Sequence, residues 1–171
     1  MKILIVGLPG SGKTTQIDKI AQKYGFAPLR MGNILREIAS QGTRQGLRIK
    51  AVMASGELVD DETVAHLIKQ EAEKLGDNFI MEGYPRTIEQ VELFNPGFDK
   101  VFYLEVPTEV LKQRMMGRGR SDDSESAIGT RIRVQKEDLD KILEFFKDRL
   151  VRIDGTKSID EIFSEIERSL R

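Results

Sequence analysis

The chain of 171 residues is 39% hydrophobic and 32% charged, and 27 Lys and Arg against 28 Asp and Glu leave a formal charge of −1; this fits one compact domain rather than a disordered chain. The absence of cysteine and the single histidine, His66, exclude disulfides, thiolate zinc sites, cysteine nucleophiles and a histidine metal cluster. A near-zero charge argues against a general nucleic-acid binder. With no apolar run near the roughly 18 residues of a membrane helix and no secretory-signal pattern at the start, the expectation is a cytoplasmic protein without membrane or nucleic-acid partners.

The β-branched run 2–6 (Lys-Ile-Leu-Ile-Val) predicts a strand covered on both faces, as in a parallel sheet. A glycine-rich turn follows over 7–12, then a helix over about 13–24 with Ile17, Ile20 and Ala21 on one face, stopped by Gly25. Residues 26–29 suit a short second strand, and two short helices are expected at about 32–40 and 43–54. A helix over 61–75 carries the apolar stripe Val64, Leu67, Ile68 and Ala72, capped by Asp60 or Asp61, with His66 on its polar side. Strands are predicted at 79–81, 101–106 and 150–153. Pro107 opens a helix through Val110, Leu111 and Met115, and a last helix runs from about 158 to 170. Ile128, Ile132, Leu139 and Ile142 form a stripe with Phe145 and Phe146 that reads as core. Asp122 and Asp123 read as the start of the helix carrying that stripe, with Glu125 as the capping partner of Asp122. Strand–helix alternation of this kind predicts an α/β domain with a mainly parallel sheet. The rhythm breaks at 30–60 and at 117–123, and ligands bind where such sheets carry insertions at their strand ends.

Residues 7–14, Gly-Leu-Pro-Gly-Ser-Gly-Lys-Thr, match the phosphate-loop pattern G-x-x-x-x-G-K-[ST] between a strand and a helix. Glycines let consecutive N–H groups face one concavity, and the helix N-terminus adds its positive end. Lys13 can reach the β- and γ-phosphates, and the Thr14 hydroxyl can ligate Mg²⁺. The segment Gly83-Tyr84-Pro85-Arg86-Thr87 directly follows the third strand, which delivers Arg86 to the sheet end that carries the phosphate loop. A planar five-donor guanidinium there suits a pair of phosphate oxygens. Gln90 lies four residues on, where its amide can meet a base edge.

The motifs G-L-P-G-S-G-K-T-T, G-N-I-L-R, G-E-L-V, G-Y-P-R-T-I-E-Q, R-M-M-G-R, R-S-D-D and D-G-T-K, in this order, resemble the adenylate kinase family of nucleoside monophosphate kinases over essentially the whole chain, 1–171. The resemblance implies a single P-loop kinase domain with a five-stranded parallel sheet in the order 2-3-1-4-5, a monophosphate-binding subdomain over 30–60 and a lid at 117–123. It implies ATP contacts from Gly10, Ser11, Gly12, Lys13, Thr14 and Thr15, completed by Arg114, Arg118 and Lys157, with the backbone after Gly155 near the ATP adenine. AMP would lie among Met31, Arg36, Gly56, Glu57, Val59, Gly83, Arg86, Gln90, Arg120 and Arg131, with Gln90 reading the adenine edge. Lys13, Arg86, Arg114, Arg118, Arg120 and Arg131 become the catalytic cations, and Thr14 and Glu82 the holders of Mg²⁺, Glu82 through water; no zinc is implied. An acceptor that is already a phosphate oxygen needs no strong base, so positioning and charge stabilisation are the enzyme's whole task.

The chain departs from the family pattern at five places, of which Thr14, following Lys13 where many adenylate kinases have Gly, simply restores the general phosphate-loop pattern. Only Gly119 separates Arg118 from Arg120, so the lid is reduced to a tight turn. The family default is a monomer, but a site without a lid either takes cover from another subunit or tolerates some ATP hydrolysis. Glu82 stands where the family has Asp, Met31 where it has Thr or Ser, and Asn33 where it has Asp. Met31 exchanges a polar contact for a flexible apolar one. The nearest alternative is a UMP/CMP kinase, against which Thr87 and Gln90 favour AMP. A P-loop ATPase or regulatory switch is the more distant one, and the DxxG and NKxD motifs of a GTPase are missing from where they would be expected.

Overall fold

The computed structural model describes residues 1–170; Arg171, at the end of the expected 1–171 domain, lies outside the described residues. Five parallel strands, β1 (Lys2–Val6), β2 (Ala27–Arg30), β3 (Phe79–Glu82), β4 (Lys100–Glu105) and β5 (Leu150–Asp154), form one sheet in the order β2-β3-β1-β4-β5. Alternation along each strand divides the core between the two faces. Ile3, Ile5, Ile80, Phe102, Leu104 and Ile153 pack on one side, against Ile17 and Ile20 of α1 (Lys13–Tyr24). Leu4, Val6, Phe79, Met81, Val101 and Tyr103 pack on the other.

The remaining helices are α2 (Met31–Ser40), α3 (Arg44–Ser55), α4 (Asp61–Leu75), α5 (Ile88–Leu93), α6 (Thr108–Gly117), α7 (Glu125–Glu137), α8 (Leu139–Phe145) and α9 (Ile159–Leu170). α9 joins α1 on the first face through Ile162 and Ile166, while α4, α6, α7 and α8 feed the second core. α2 and α3 occupy the 30–60 interruption, and Asp60 caps α4 by accepting from Thr63 N at 3.0 Å.

Three local expectations change. α7 begins at Glu125 with Ser124 as its cap, whose hydroxyl accepts from Ala127 N at 3.2 Å. Asp122 and Asp123 instead turn toward arginines, because charge-assisted pairing outweighs a neutral cap bond. The helical stripe breaks at Asp138, whose Oδ2 accepts from Ile88 N at 3.0 Å and so serves the start of α5, a helix the sequence reading did not anticipate. Phe146 is buried, but Phe145 is 53% exposed and covers Phe146 edge-on from outside.

One glycine ties the interruption to the body. Gly56 ends α3 with φ +82°, and a Cβ there would overlap the backbone carbonyl oxygen of Ala127 on α7. Left-handed backbone and rigid-wall contact both penalise a side chain here. Gly56→Ala is therefore expected to cost about 2 kcal/mol and to lower the melting temperature by about 4–8 °C for a chain of this size. A melting curve that matches the parent's would show that α3 and α7 do not meet as described.

Candidate functional site

Because all five strands are parallel, their carboxyl ends share one edge of the sheet, and the segments after β1, β2, β3 and β4 converge there. They enclose a cavity of about 350 Å³. Seven arginines (30, 36, 86, 114, 118, 120 and 131) and Lys13 line it, against only Glu57, Glu82 and Asp122. A chain of net charge −1 thus places eight of its 27 Lys and Arg side chains around one cavity, and the arrangement suits a polyanion.

The loop after β1 is shaped by glycine. Gly10 has φ +85°, and a Cβ there would press on the Leu111 carbonyl; Gly12, at φ +95°, starts α1. Lys13 is buried, and its Nζ donates to the carbonyls of Gly7 (2.8 Å) and Leu8 (3.0 Å). Burial, with the neighbouring Arg86 charge, lowers its pKa to about 7, while Glu82 opposes the shift. Thr14 Oγ1 donates to Glu82 Oε1 at 2.9 Å. A hydroxyl and a buried carboxylate side by side are hard oxygen donors, and they fit Mg²⁺, which keeps several of its waters.

The segment after β3 places Arg86, which donates from Nη1 to Gly7 O at 3.1 Å and from Nε to Gly83 O at 3.2 Å. Burial lowers its pKa to about 10, and it stays charged at neutral pH. Gln90 also lines the cavity but is 1% exposed, with its Oε1 accepting from Arg86 N at 2.7 Å and its Nε2 donating to Asp61 Oδ1 at 2.9 Å. Arg36 donates to Asn33 Oδ1 at 2.8 Å. Met31, Glu57, Val59 and Gly83 line the same side.

Around the turn at 118–124, Asp123 accepts from both Arg118 and Arg131. Burial alone would raise the Asp123 pKa; hydrogen bonds and charge from the two arginines outweigh it and bring it below the usual value. Arg131 also donates to Met53 O at 2.9 Å and to Asp122, bridging the end of α3 to the turn. Arg114 reaches Gly10 O (3.4 Å) and Gly155 O (3.1 Å). Arg120 is the one lining arginine whose side chain makes no hydrogen bond among the described residues. Burial, with the charges of Arg118 and Arg36, lowers its pKa.

Most of the expected residues therefore meet at the cavity. Ser11 is buried beneath it, Thr15 is exposed outside it, and Lys157 pairs with Glu165 on α9, away from the lining. His66 is exposed on α4. Two lining groups escaped the sequence reading. Arg30 ends β2 opposite Glu82 in register, pairs with Asp18, and holds a buried Nε without a hydrogen-bond partner 3.6 Å from Glu82 Oε1. Its position at a strand end beside Glu82 was the available signal. Gln135, on α7, also lines the cavity, with a buried Oε1 lacking a partner, and had no signal beyond its helix.

The comparisons with known proteins identify the family. The adenylate kinase family model matches residues 5–151. The chain is 35% identical over 177 residues to a curated adenylate kinase of Prochlorococcus marinus (strain MIT 9301), covering 98% of this chain and 97% of that protein. It is 32% identical over 179 residues to adenylate kinases of Mycobacteroides abscessus and Mycobacterium tuberculosis, covering 99% of each chain.

The lowered pKa of Lys13 has a measurable consequence. Between about pH 7 and 10.5 the unfolded chain holds this proton and the folded chain does not, so Lys13 makes stability rise with pH across that window, with its penalty full below about 7. A polyphosphate beside Nζ favours the charged form. Binding of tripolyphosphate at pH 8 is expected to take up close to one proton, read by calorimetry in buffers of different ionisation enthalpy. An equal uptake in Lys13→Met would refute the assignment.

Proposed function

The chain belongs to the adenylate kinase family, and on that premise we propose how its cavity carries out the reversible transfer of the γ-phosphoryl group of ATP to AMP, giving two ADP. The observation that carries the reading is the surplus of lining cations, seven arginines and Lys13, over the three lining carboxylates. Such a set binds two phosphate chains, holds them in line and stabilises charge on the transferring group.

The ATP phosphates would lie in the loop after β1, where the Gly7 and Leu8 carbonyls now held by Lys13 give way to phosphate oxygens as its partners. Thr14 and Glu82 would hold Mg²⁺, which when bound would screen the phosphate charge. Arg36 and Arg86 would take the acceptor phosphate, delivered beside the loop by Arg86. Met31, Val59 and Gln90 would flank the acceptor base, with Glu57 and the backbone of Gly56 and Gly83 near the nucleoside. Arg114, Arg118 and Arg131 would approach the transferring group already oriented, by the carbonyls of Gly10 and Gly155 and by Asp123. Arg120, without a partner of its own, would answer the charge that develops during transfer. Ser11 would support the loop from below. Thr15 and Lys157 would need to move before touching a nucleotide. We also propose that α2 and α3 form the acceptor-side subdomain, that the turn at 117–123 is a vestigial lid, and that the protein works in the cytoplasm.

The test is ADP formation from Mg-ATP with AMP, CMP, UMP and GMP as separate acceptors and with none. AMP is expected to give the highest kcat/KM. Preference for a pyrimidine acceptor would overturn the acceptor assignment. ADP formation in the no-acceptor control alone would overturn the transfer reading. Arg120→Ala is expected to lower kcat by about 10²–10³, the scale of removing one donor to a developing oxyanion, with an unchanged melting curve. A kcat within a few-fold of the parent would remove Arg120 from its role.

A further inference from the structure

Gln90 is steadied from behind by a residue outside the cavity lining. Asp61, in the first turn of α4, accepts on the single oxygen Oδ1 from both the Thr87 hydroxyl (2.9 Å) and Gln90 Nε2 (2.9 Å). Thr87 Oγ1 in turn accepts from Gln90 N at 3.1 Å, which caps α5 and ties the ring of bonds together. At its other end the Gln90 amide accepts from Arg86 N at 2.7 Å. A backbone N–H only donates and a carboxylate only accepts, so the amide has one orientation, oxygen toward Arg86 and nitrogen toward Asp61. One hydrogen on Nε2 and one lone pair on Oε1 remain for whatever lies in the cavity.

We propose that Asp61 is a positioning residue. It holds the nitrogen end of the Gln90 amide, and thereby makes the acceptor side favour a 6-aminopurine monophosphate over a 6-oxopurine one. The proposal rests on the reading that Gln90 faces the acceptor base. A 6-aminopurine edge sets an amino donor beside a ring-nitrogen acceptor, while a 6-oxopurine edge sets a ring N–H donor beside a carbonyl acceptor. The two patterns are reversed. An amide free to turn meets either, and an amide held at both ends meets one, leaving the other base with unpaired polar atoms in a buried site. Asp61 is absent from the lining, so its influence passes through Gln90.

Because both donors converge on Oδ1, Asn at this position can still offer them one oxygen, whereas Ala offers none. Both variants lose the negative charge at the start of α4, so the difference between them isolates the acceptor. Kinetics with AMP and with inosine monophosphate, together with melting curves, make the test. Asp61→Ala is expected to raise KM for AMP about tenfold, the equivalent of about 1.4 kcal/mol, with kcat nearly constant and the inosine monophosphate KM little changed. The AMP preference in kcat/KM then falls about tenfold. Asp61→Asn is expected to retain most of that preference. If Asp61→Ala does not fold, Asp61→Ser, whose short hydroxyl does not reach Gln90, carries the same expectation.

An unchanged AMP preference in Asp61→Ala, with the preference lost in Gln90→Leu, overturns the proposal and leaves the base reading standing. An unchanged preference in Gln90→Leu overturns the base reading and the proposal with it. Equal losses in the Ala and Asn variants assign the effect to charge and overturn the positioning role.

Discussion

Repulsion among like charges is the constraint on which this structure turns. Eight cationic side chains line one cavity at the carboxyl edge of the sheet, and charges of one sign brought that close oppose folding unless each finds compensation. The compensation comes from groups that bind without neutralising the whole. Lys13 lies on the carbonyls of Gly7 and Leu8, Arg86 on Gly7 and Gly83, and Arg114 on Gly10 and Gly155. Carbonyl oxygens satisfy N–H donors but carry no net charge, so the cavity keeps its field. The cost appears at Lys13, where burial and the Arg86 charge bring the pKa down to about 7.

Carboxylates are used more sparingly and at particular places. Asp123 takes Arg118 and Arg131 together and draws the two flanks of a short turn into one unit. Arg131 carries the link on to the Met53 carbonyl at the end of α3, where Gly56 lets the α3 terminus lie against α7. Glu82 sits between Thr14 and Arg30, at the junction of β2 and β3 with the phosphate-binding loop. The acids therefore orient cations along the seams between segments, and the centre keeps its positive charge.

The parts of this design that were legible in the sequence are those written locally. A β-branched run, a glycine-rich loop and an amphipathic helix over residues 2–24 specify β1, the phosphate loop and α1 within a few turns of chain. Arg86 was legible because the segment that carries it, beginning at Gly83, directly follows a strand. The links that join distant segments were not. Asp61 lies 29 residues from Gln90, and the bond that orients the amide exists only once α4 packs beside α5. Asp122 and Asp123 were read as a helix start because local spacing favoured it, but tertiary charge pairing took both side chains and left the cap to Ser124. Arg30 carries no helical or strand periodicity of its own, and its meaning comes from register against Glu82. Asp138 broke a continuous helical stripe for the same reason, a bond to Ile88 across the fold.

The carbonyl-held cations also bear on catalysis. A site whose arginines were neutralised by carboxylates would have to break ion pairs to meet a phosphate, and each broken pair would subtract from binding. On the proposed reading, Lys13, Arg86 and Arg114 would exchange neutral carbonyl oxygens for charged ones, a change that would favour the bound state and the charged form of the lysine. Arg120 has nothing to exchange. In the proposed role its attraction would grow as negative charge gathers on the transferring group, with no prior side-chain partner to give up. Interactions that strengthen from ground state to transition state are the ones that accelerate the chemical step. On the proposed reading, the partnered arginines would meet the phosphates already oriented, and Arg120 would be the one free to answer the transfer without first giving up a partner.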